Sequence, residues 1–277
     1  MPISELYTLC AVSVGGTVVG QITEQSVSTD LAELMAADSG EIYSRLVAAG
    51  RITPKIRFTT EQVKRALAAI PLSGKAITAG APLILYFQKY DSGGTRAAAG
   101  CVTFTATSGL ILWQSLSANI NSLANVSFEC TFESTDGTTK PLTKATGVSL
   151  PTQPTAQAYI ISGDEGVQSG SITTGATAET HFGDSDVYPT LVCVGAIRPT
   201  GTVTQADMGD SGLSSVHTIT LLDVPAGGTR GSSPIVFTFN QYIASVRSIG
   251  GSPSMNEHSI TASYDGTNAP ISITGLT

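Results

Sequence analysis

The 277 residues carry 14 Lys and Arg against 21 Asp and Glu, a net charge of −7, and only 13% of the chain is charged, roughly half the share usual for a soluble domain. So acidic a balance lacks the basic footprint of a protein that grips nucleic acid, and no apolar run reaches the roughly 18 residues of a membrane span. The length suits two units that each bury a core. Gly, Ser, Thr and Ala fill the place of charge, a surface better fitted to packing against copies of itself than to a solitary enzyme.

The start, Met1-Pro2-Ile3-Ser4-Glu5-Leu6, has neither a basic segment nor a long apolar one, so no signal peptide is expected and the chain reads as made in the cytoplasm with reduced thiols. Asp30 to Ala37 suggests a helical stretch, with Glu33 as an acid in its first turn and Gly40 soon ending it. Thr59 and Gln62 have capping-box spacing. Val63, Ala66, Leu67 and Ile70 then fall at i, i+3, i+4 and i+7, one apolar helical stripe that Pro71 stops. Leu83–Phe87 is a short continuous apolar run, as in a buried strand. Val102–Thr105 and Val126–Phe132 alternate with period two, as half-buried strands do. Asp136-Gly137 suits a turn.

Pro151 and Pro154, among Ser, Thr and Gln, mark an extended linker. Beyond it, Thr204–Met208 runs into Gly209 and Gly212, a counterpart of the helix that is shortened or replaced by a loop. His217–Leu222, Ile235–Phe239 and Ser259–Tyr264 read as strands, and Asp265-Gly266 as a second turn.

Short matches recur in order along the chain. Gly20-Gln21-Ile22-Thr23 returns 150 residues later (20 to 170), and Asp38-Ser39 returns 146 later (38 to 184). Pro54–Thr59 returns 145 later (54 to 199), Gly93-Gly94-Thr95-Arg96 returns 134 later (93 to 227), and Asp136-Gly137-Thr138 returns 129 later (136 to 265). Offsets that only fall point to two copies of one unit with shortened loops in the second. Repeats this long are whole domains rather than solenoid units. The expected fold is mainly β: two tandem antiparallel β-sandwich or barrel domains, 1–147 and 158–277, each with a short helix and joined by a linker at 148–157.

No residue pattern points to catalysis. Gly209-Asp210-Ser211-Gly212 resembles the nucleophile motif of chymotrypsin-like proteases, but Leu213 follows where that motif has Gly. His181, about thirty residues upstream, stands in no matching context. Cys10, Cys101, Cys130 and Cys193 have no CxxC spacing and no neighbouring His, so neither a metal site nor a disulfide framework is expected. His217 and His258 flank strands, and Asp184-Ser185-Asp186 reads as a turn. Lys55, Arg57, Lys64 and Arg65 read as a solvated face or a contact with an acidic patch on a neighbour. The expectation is no enzyme, no cofactor and no metal.

Two Gly-rich tips between apolar strands carry the sharper expectation. Asp91, Gly93, Gly94 and Arg96 form one, and Gly227, Gly228 and Arg230 the other. Such tips pack poorly on themselves, and an Arg recurs at the same place, so each reads either as a solvated hairpin or as an inter-subunit arm whose Arg finds a carboxylate on a neighbour.

A Pro-x-Ile-x-Phe-Thr-Thr strand at 54–60 leading into the helix, the hairpin arms, the low charge and the duplication together resemble the two-domain tail tube proteins of long-tailed bacteriophages. The resemblance covers nearly the whole chain. It implies self-assembly into trimeric rings with pseudo-sixfold symmetry, stacked as a tube in the virion tail after assembly in the host cytoplasm. Genomic DNA would pass the lumen without specific binding, and no membrane would be involved. Two alternatives stand beside it: another virion ring component of baseplate or tail-completion type, and a β-sandwich adhesin or carbohydrate-binding module. Trp113 is the one tryptophan and aromatics make up 6%, which leaves little stacking surface for sugars.

Overall fold

The computed structural model describes residues 7–36, 46–89, 100–162, 166–206, 218–224, 231, 233–240, 242–250, 255–264 and 266–276. The first half runs β1 (Tyr7–Val14), β2 (Thr17–Val19), β3 (Ile22–Ala36), β4 (Leu46–Thr60), α1 (Val63–Ala69), β5 (Lys75–Ile77), β6 (Leu83–Lys89), β7 (Cys101–Ala106), β8 (Gly109–Asn119), β9 (Ser122–Phe132) and β10 (Leu142–Val148). The second runs β11 (Tyr159–Ile161), β12 (Val167–Thr173), β13 (Ala178–His181), β14 (Leu191–Val194), β15 (Thr200–Gln205), β16 (Thr218–Asp223), β17 (Ile235–Phe239), β18 (Tyr242–Gly250), β19 (Met255–Ala262) and β20 (Ile271–Thr274). The fold is mainly β, and every described strand pair is antiparallel.

Period-two alternation explains the strands best where it is cleanest. In β9, Ala124, Val126, Phe128, Cys130 and Phe132 are buried on one face, while Asn125 and Ser127 stand on the other. One long sheet has the order β18-β19-β15-β12-β8-β9-β4-β3, with β5 also paired to β8. A five-stranded sheet, β10-β7-β6-β1-β2, belongs to the first half, and a four-stranded sheet, β11-β16-β17-β20, belongs to the second. All three sheets contribute to one core. Leu9, Leu83 and Leu85 join Phe58, Trp113 and Phe128 there, together with Ile172, Val203, Leu221 and Phe237. The Trp113 and Phe237 rings lie 6.0 Å apart and tie the halves to each other.

The pairing order repeats. With β1, β3, β4, β6, β7, β8, β9 and β10 set against β11, β12, β15, β16, β17, β18, β19 and β20, each neighbour relation among these first-half strands recurs in the second half, whereas the β1–β2 and β5–β8 pairings do not. Register repeats as well: Arg57 pairs with Glu129 and Ser26, and Thr202 pairs with Ser259 and Ser171. The bulge between Ile22 and Glu24 opposite Thr60 and Thr59 recurs between Val167 and Ser169 opposite Gln205 and Thr204. The bulge between Trp113 and Ser115 opposite Phe128 and Ser127 recurs between Val246 and Ser248 opposite His258 and Glu257. Bulges re-aim a strand locally and are specific features rather than noise. On this register Gly170 corresponds to Gln25, so the sequence match of Gly20–Thr23 with Gly170–Thr173 is five residues out of step.

Three local expectations are corrected. Thr204 and Gln205, read as part of a counterpart of the helix, end strand β15 instead, paired with Ser169 and Val167, while Asp207 and Met208 lie outside the described residues. Asp30–Ala36 is strand, not helix: Leu31 pairs with Ile52, Leu34 with Ala48 and Met35 with Val47. Helix propensity distinguishes Ala and Leu from other residues by only tenths of a kcal/mol, and a continuous ladder to β4 outweighs it. The α1 stripe is buried as expected, with Val63, Ala66, Leu67 and Ile70 all in the core, but the capping box is absent. Thr59 lies inside β4, and the N-cap residue, Gln62, makes no side-chain cap. Its amide instead accepts from Gly20 N at 2.9 Å and donates to Thr155 O at 3.3 Å.

That bond is one of several that seat the segment between β10 and β11. Gln21 exchanges two amide hydrogen bonds with the Gln157 backbone, at 3.0 and 2.7 Å. The proline-bearing linker is therefore strapped along the first half rather than left as a spacer.

Candidate functional site

The long sheet buries one face in the core; its second face is covered at Leu110 and Leu112 by the segment around β13 and β14 and elsewhere carries many hydroxyl side chains. Reading outward-pointing positions from β4 across to β19 gives Thr59, Ser127, Ser115, Thr173, Thr204 and Ser259 among others. Ser115 and Ser127 hydrogen-bond across the strands at 2.6 Å. Threonine serves here because it is β-branched and fits the pleat while presenting an oxygen to water. The charged residues on this face whose side chains are described include Glu24, Glu129, Glu257, Lys55 and Arg57. Arg57 and Glu129 cancel in a 2.5 Å ion pair across β4 and β9.

The ends of the sheet matter as much as its face. Its two terminal strands are β3 and β18, and their backbone edges are of the kind that proteins ordinarily cover or pair. In the middle of the sheet, β12 pairs with β8: Ser117 faces Ser171, Leu116 faces Ile172 and Ser115 faces Thr173. In the repeated register β12 corresponds to β3, and β8 to β18. On that correspondence β3 and β18 stand where β12 and β8 stand at the junction, each with one edge at the end of the sheet. Val27, the β3 residue corresponding to the fully buried Ile172, is 63% exposed.

The segments between the first two long-sheet strands of each half differ. In the first half, β3 and β4 continue past the last β9 partner, Lys55, as a two-stranded arm. In the second half, β13 and β14 fold back so that Val192 and Ala176 pack on Leu110 and Leu112 of β8. The arm's base is stitched to the second half. Ile52 N donates to Val187 O at 2.7 Å, and Arg51 lies 4.9 Å from the Phe182 ring centroid.

Of the residues singled out from sequence, Asp91, Gly93, Gly94, Arg96, Gly227, Gly228 and Arg230 lie outside the described residues, as do Gly209–Gly212 and His217. Asp184-Ser185-Asp186 forms a turn, with Asp186 accepting from Gly183 N at 2.5 Å and Thr190 Oγ1 at 3.1 Å. The basic group is divided: Arg57 joins Glu129 on the hydroxyl face, whereas Arg65 Nε donates to Val18 O at 2.5 Å. Cys10, Cys101 and Cys130 are buried, and burial, with Glu129 beside it, pushes the Cys130 thiol far above its ordinary range. His258 is buried, and neither ring nitrogen finds a hydrogen-bond partner among the described residues.

Sequence spacing gave no hint that Cys193 Sγ would lie 4.0 Å from His181 Nε2. The antiparallel pairing of β13 with β14 brings them together. Nor did it mark β3 and β18 as edges, since pairing order is not written in any one strand. No helix among the described residues is long and apolar enough to cross a membrane. Comparison with protein-family models finds no match, and comparison with curated proteins finds no relative.

Proposed function

We propose that the chain is a structural subunit that pairs edge to edge with its own copies into a closed ring, as a tail tube protein of a long-tailed bacteriophage does. The observation that carries this reading is the β8–β12 junction. A contact of that geometry exists once inside the chain, and the two strands that would make it again are the terminal strands of the same sheet. Repeating the register places Ser248 opposite Ser28, Ile249 opposite Val27 and Gly250 opposite Ser26 of the next copy. Such a heterologous contact closes into a ring when the rotation per copy divides a circle. With two like halves per chain, three chains give six quasi-equivalent units.

In such a ring the long sheets join into one β-wall, and the hydroxyl face lines the lumen. Neutral hydroxyls give phosphates no ion-pair partner, whereas each added lysine or arginine would add a contact that slows DNA. The inter-subunit arms at Asp91–Arg96 and at Gly227, Gly228 and Arg230 remain part of this proposal as contacts between neighbours. A carbohydrate-binding reading draws less support, because Trp113 is wholly buried and offers no sugar a stacking face.

Negative-stain microscopy of the purified chain over rising concentration tests the proposal. Rings with threefold outlines that stack into hollow tubes are expected. Rings that never stack would favour a baseplate or tail-completion ring instead. A chain that stays monomeric at millimolar concentration would overturn edge-to-edge assembly.

A further inference from the structure

We propose that the β13–β14 hairpin binds a divalent transition-metal ion of the zinc type, held by Cys193 Sγ, His181 Nε2 and a carboxylate oxygen of Glu179. One donor atom from each of the three residues lies within 4.8 Å of the others. Hairpin register creates the cluster. Glu179 pairs directly with Cys193, and His181, two residues along the same strand, projects from the same face. Zinc bonds of about 2.3 Å to sulfur and 2.0–2.2 Å to nitrogen and oxygen set tetrahedral donor separations of roughly 3.3–3.6 Å. The Sγ–Nε2 distance of 4.0 Å reaches that range by small side-chain rotations, which exposed Glu179 and His181 are free to make.

The donor set selects the metal. A thiolate with an imidazole suits zinc and its neighbours, whereas magnesium and calcium take oxygen alone. Three protein donors leave a fourth position to water or to a group from outside the hairpin. Binding displaces the Cys193 thiol proton to solvent, so affinity falls as the solution is acidified.

Three features hold the site ready. Ala178 and Val192, on the opposite face of the hairpin, pack against the Leu110–Leu112 cluster. Val192 N donates to Glu133 Oε2 at 2.7 Å, and Thr190 N donates to His181 O at 2.9 Å to close the turn. A Cβ on Gly195 would lie 2.8 Å from both Cγ and Oε1 of Glu179, so the missing side chain leaves the carboxylate its place. Cys193 is also the one cysteine that is not buried.

The test uses the full chain with zinc followed by calorimetry and cobalt followed by absorption. One zinc per chain is expected, and cobalt should give tetrahedral d–d bands together with a sulfur-to-metal charge-transfer band. Cys193→Ser should abolish the charge-transfer band. Partners outside the coordination shell already change metal affinity by about 10–100-fold, so losing Cys193 or His181 as ligand should cost about 100-fold or more. Glu179→Gln should cost about tenfold, and Leu191→Ala, an exposed non-ligand on the same face, should change nothing. Far-UV circular dichroism checks that each variant is folded. Absent zinc binding, an octahedral cobalt spectrum, unchanged affinity in folded Cys193→Ser, or one zinc per two chains would each overturn the site. None of these readouts depends on ring formation.

Discussion

Val27→Asp is the most direct probe of the edge contact. Val27 is 63% exposed in the single chain, while its counterpart Ile172 is 0% exposed beneath the β8–β12 junction. Burying a whole valine side chain contributes about 1.5–3 kcal/mol, so covering the exposed fraction of Val27 contributes about 1–2 kcal/mol. A carboxylate in its place loses that and adds at least about 2 kcal/mol for an unpaired charge taken from water. The total, about 3 kcal/mol, weakens each contact roughly 100-fold, and a three-chain ring needs three such contacts. The isolated subunit should be indifferent, because the side chain already faces solvent. Thermal melting of monomer, sedimentation velocity and microscopy would be run on Val27→Asp beside Val27→Ile, which copies the residue at the junction. Val27→Ile should assemble at least as well as the parent. If Val27→Asp assembles like the parent, or if its monomer melts well below the parent's, Val27 does not sit at the inter-subunit contact.

Three further outcomes follow from packing and electrostatics. A Cβ on Gly201 would lie 2.3 Å from Cζ of Phe239, so Gly201→Ala should cost about 1–3 kcal/mol in denaturant melts; Phe239→Leu in the same chain should recover part of that, and no recovery would locate the strain elsewhere. His258 occupies the register position of the fully buried Phe128 with both nitrogens unpartnered among the described residues, so His258→Phe should raise stability by about 1–2 kcal/mol, and a lower melting temperature would refute this. Asp136 accepts from Thr139 N and Thr139 Oγ1, then from Thr138 N and Ser134 Oγ, and these bonds hold its carboxyl well below its ordinary value of 3.8. Because the folded value is depressed, its contribution is fully present above the ordinary value and is lost as pH falls through the lower one. Carbon NMR titration should give a midpoint under 3.8, and a midpoint at or above it would show that the turn does not hold in solution.

Much of the β content was legible because burial imposes a period. Val126–Phe132 alternates in chemistry and lies in the long sheet, though both of its faces are buried from Phe128 on; Leu83–Phe87 is continuous and lies in the five-stranded sheet, and the α1 stripe faces the core. Leu31–Ala36 misled because its residues favour helix by small increments, which a ladder to β4 overcomes. Gly20–Thr23 matched Gly170–Thr173 by composition, yet the bulges place Gly170 opposite the role of Gln25. Short identities in a Gly- and Thr-rich chain carry less positional information than hydrogen-bond register does.

What the sequence determined by itself was local: which residues alternate, where the Asp136-Gly137 turn falls, and that charge is scarce. Each follows from short-range sterics and from the hydrophobic sorting of neighbours along a strand. What only the tertiary structure decided was pairing. That β12 joins β8, that β3 and β18 stand at the ends of one sheet, and that Glu179, His181 and Cys193 share a hairpin face all depend on contacts between residues far apart in sequence. A strand carries two equivalent hydrogen-bonding edges and no label for its neighbour, so the partner is chosen by the packing of the whole core.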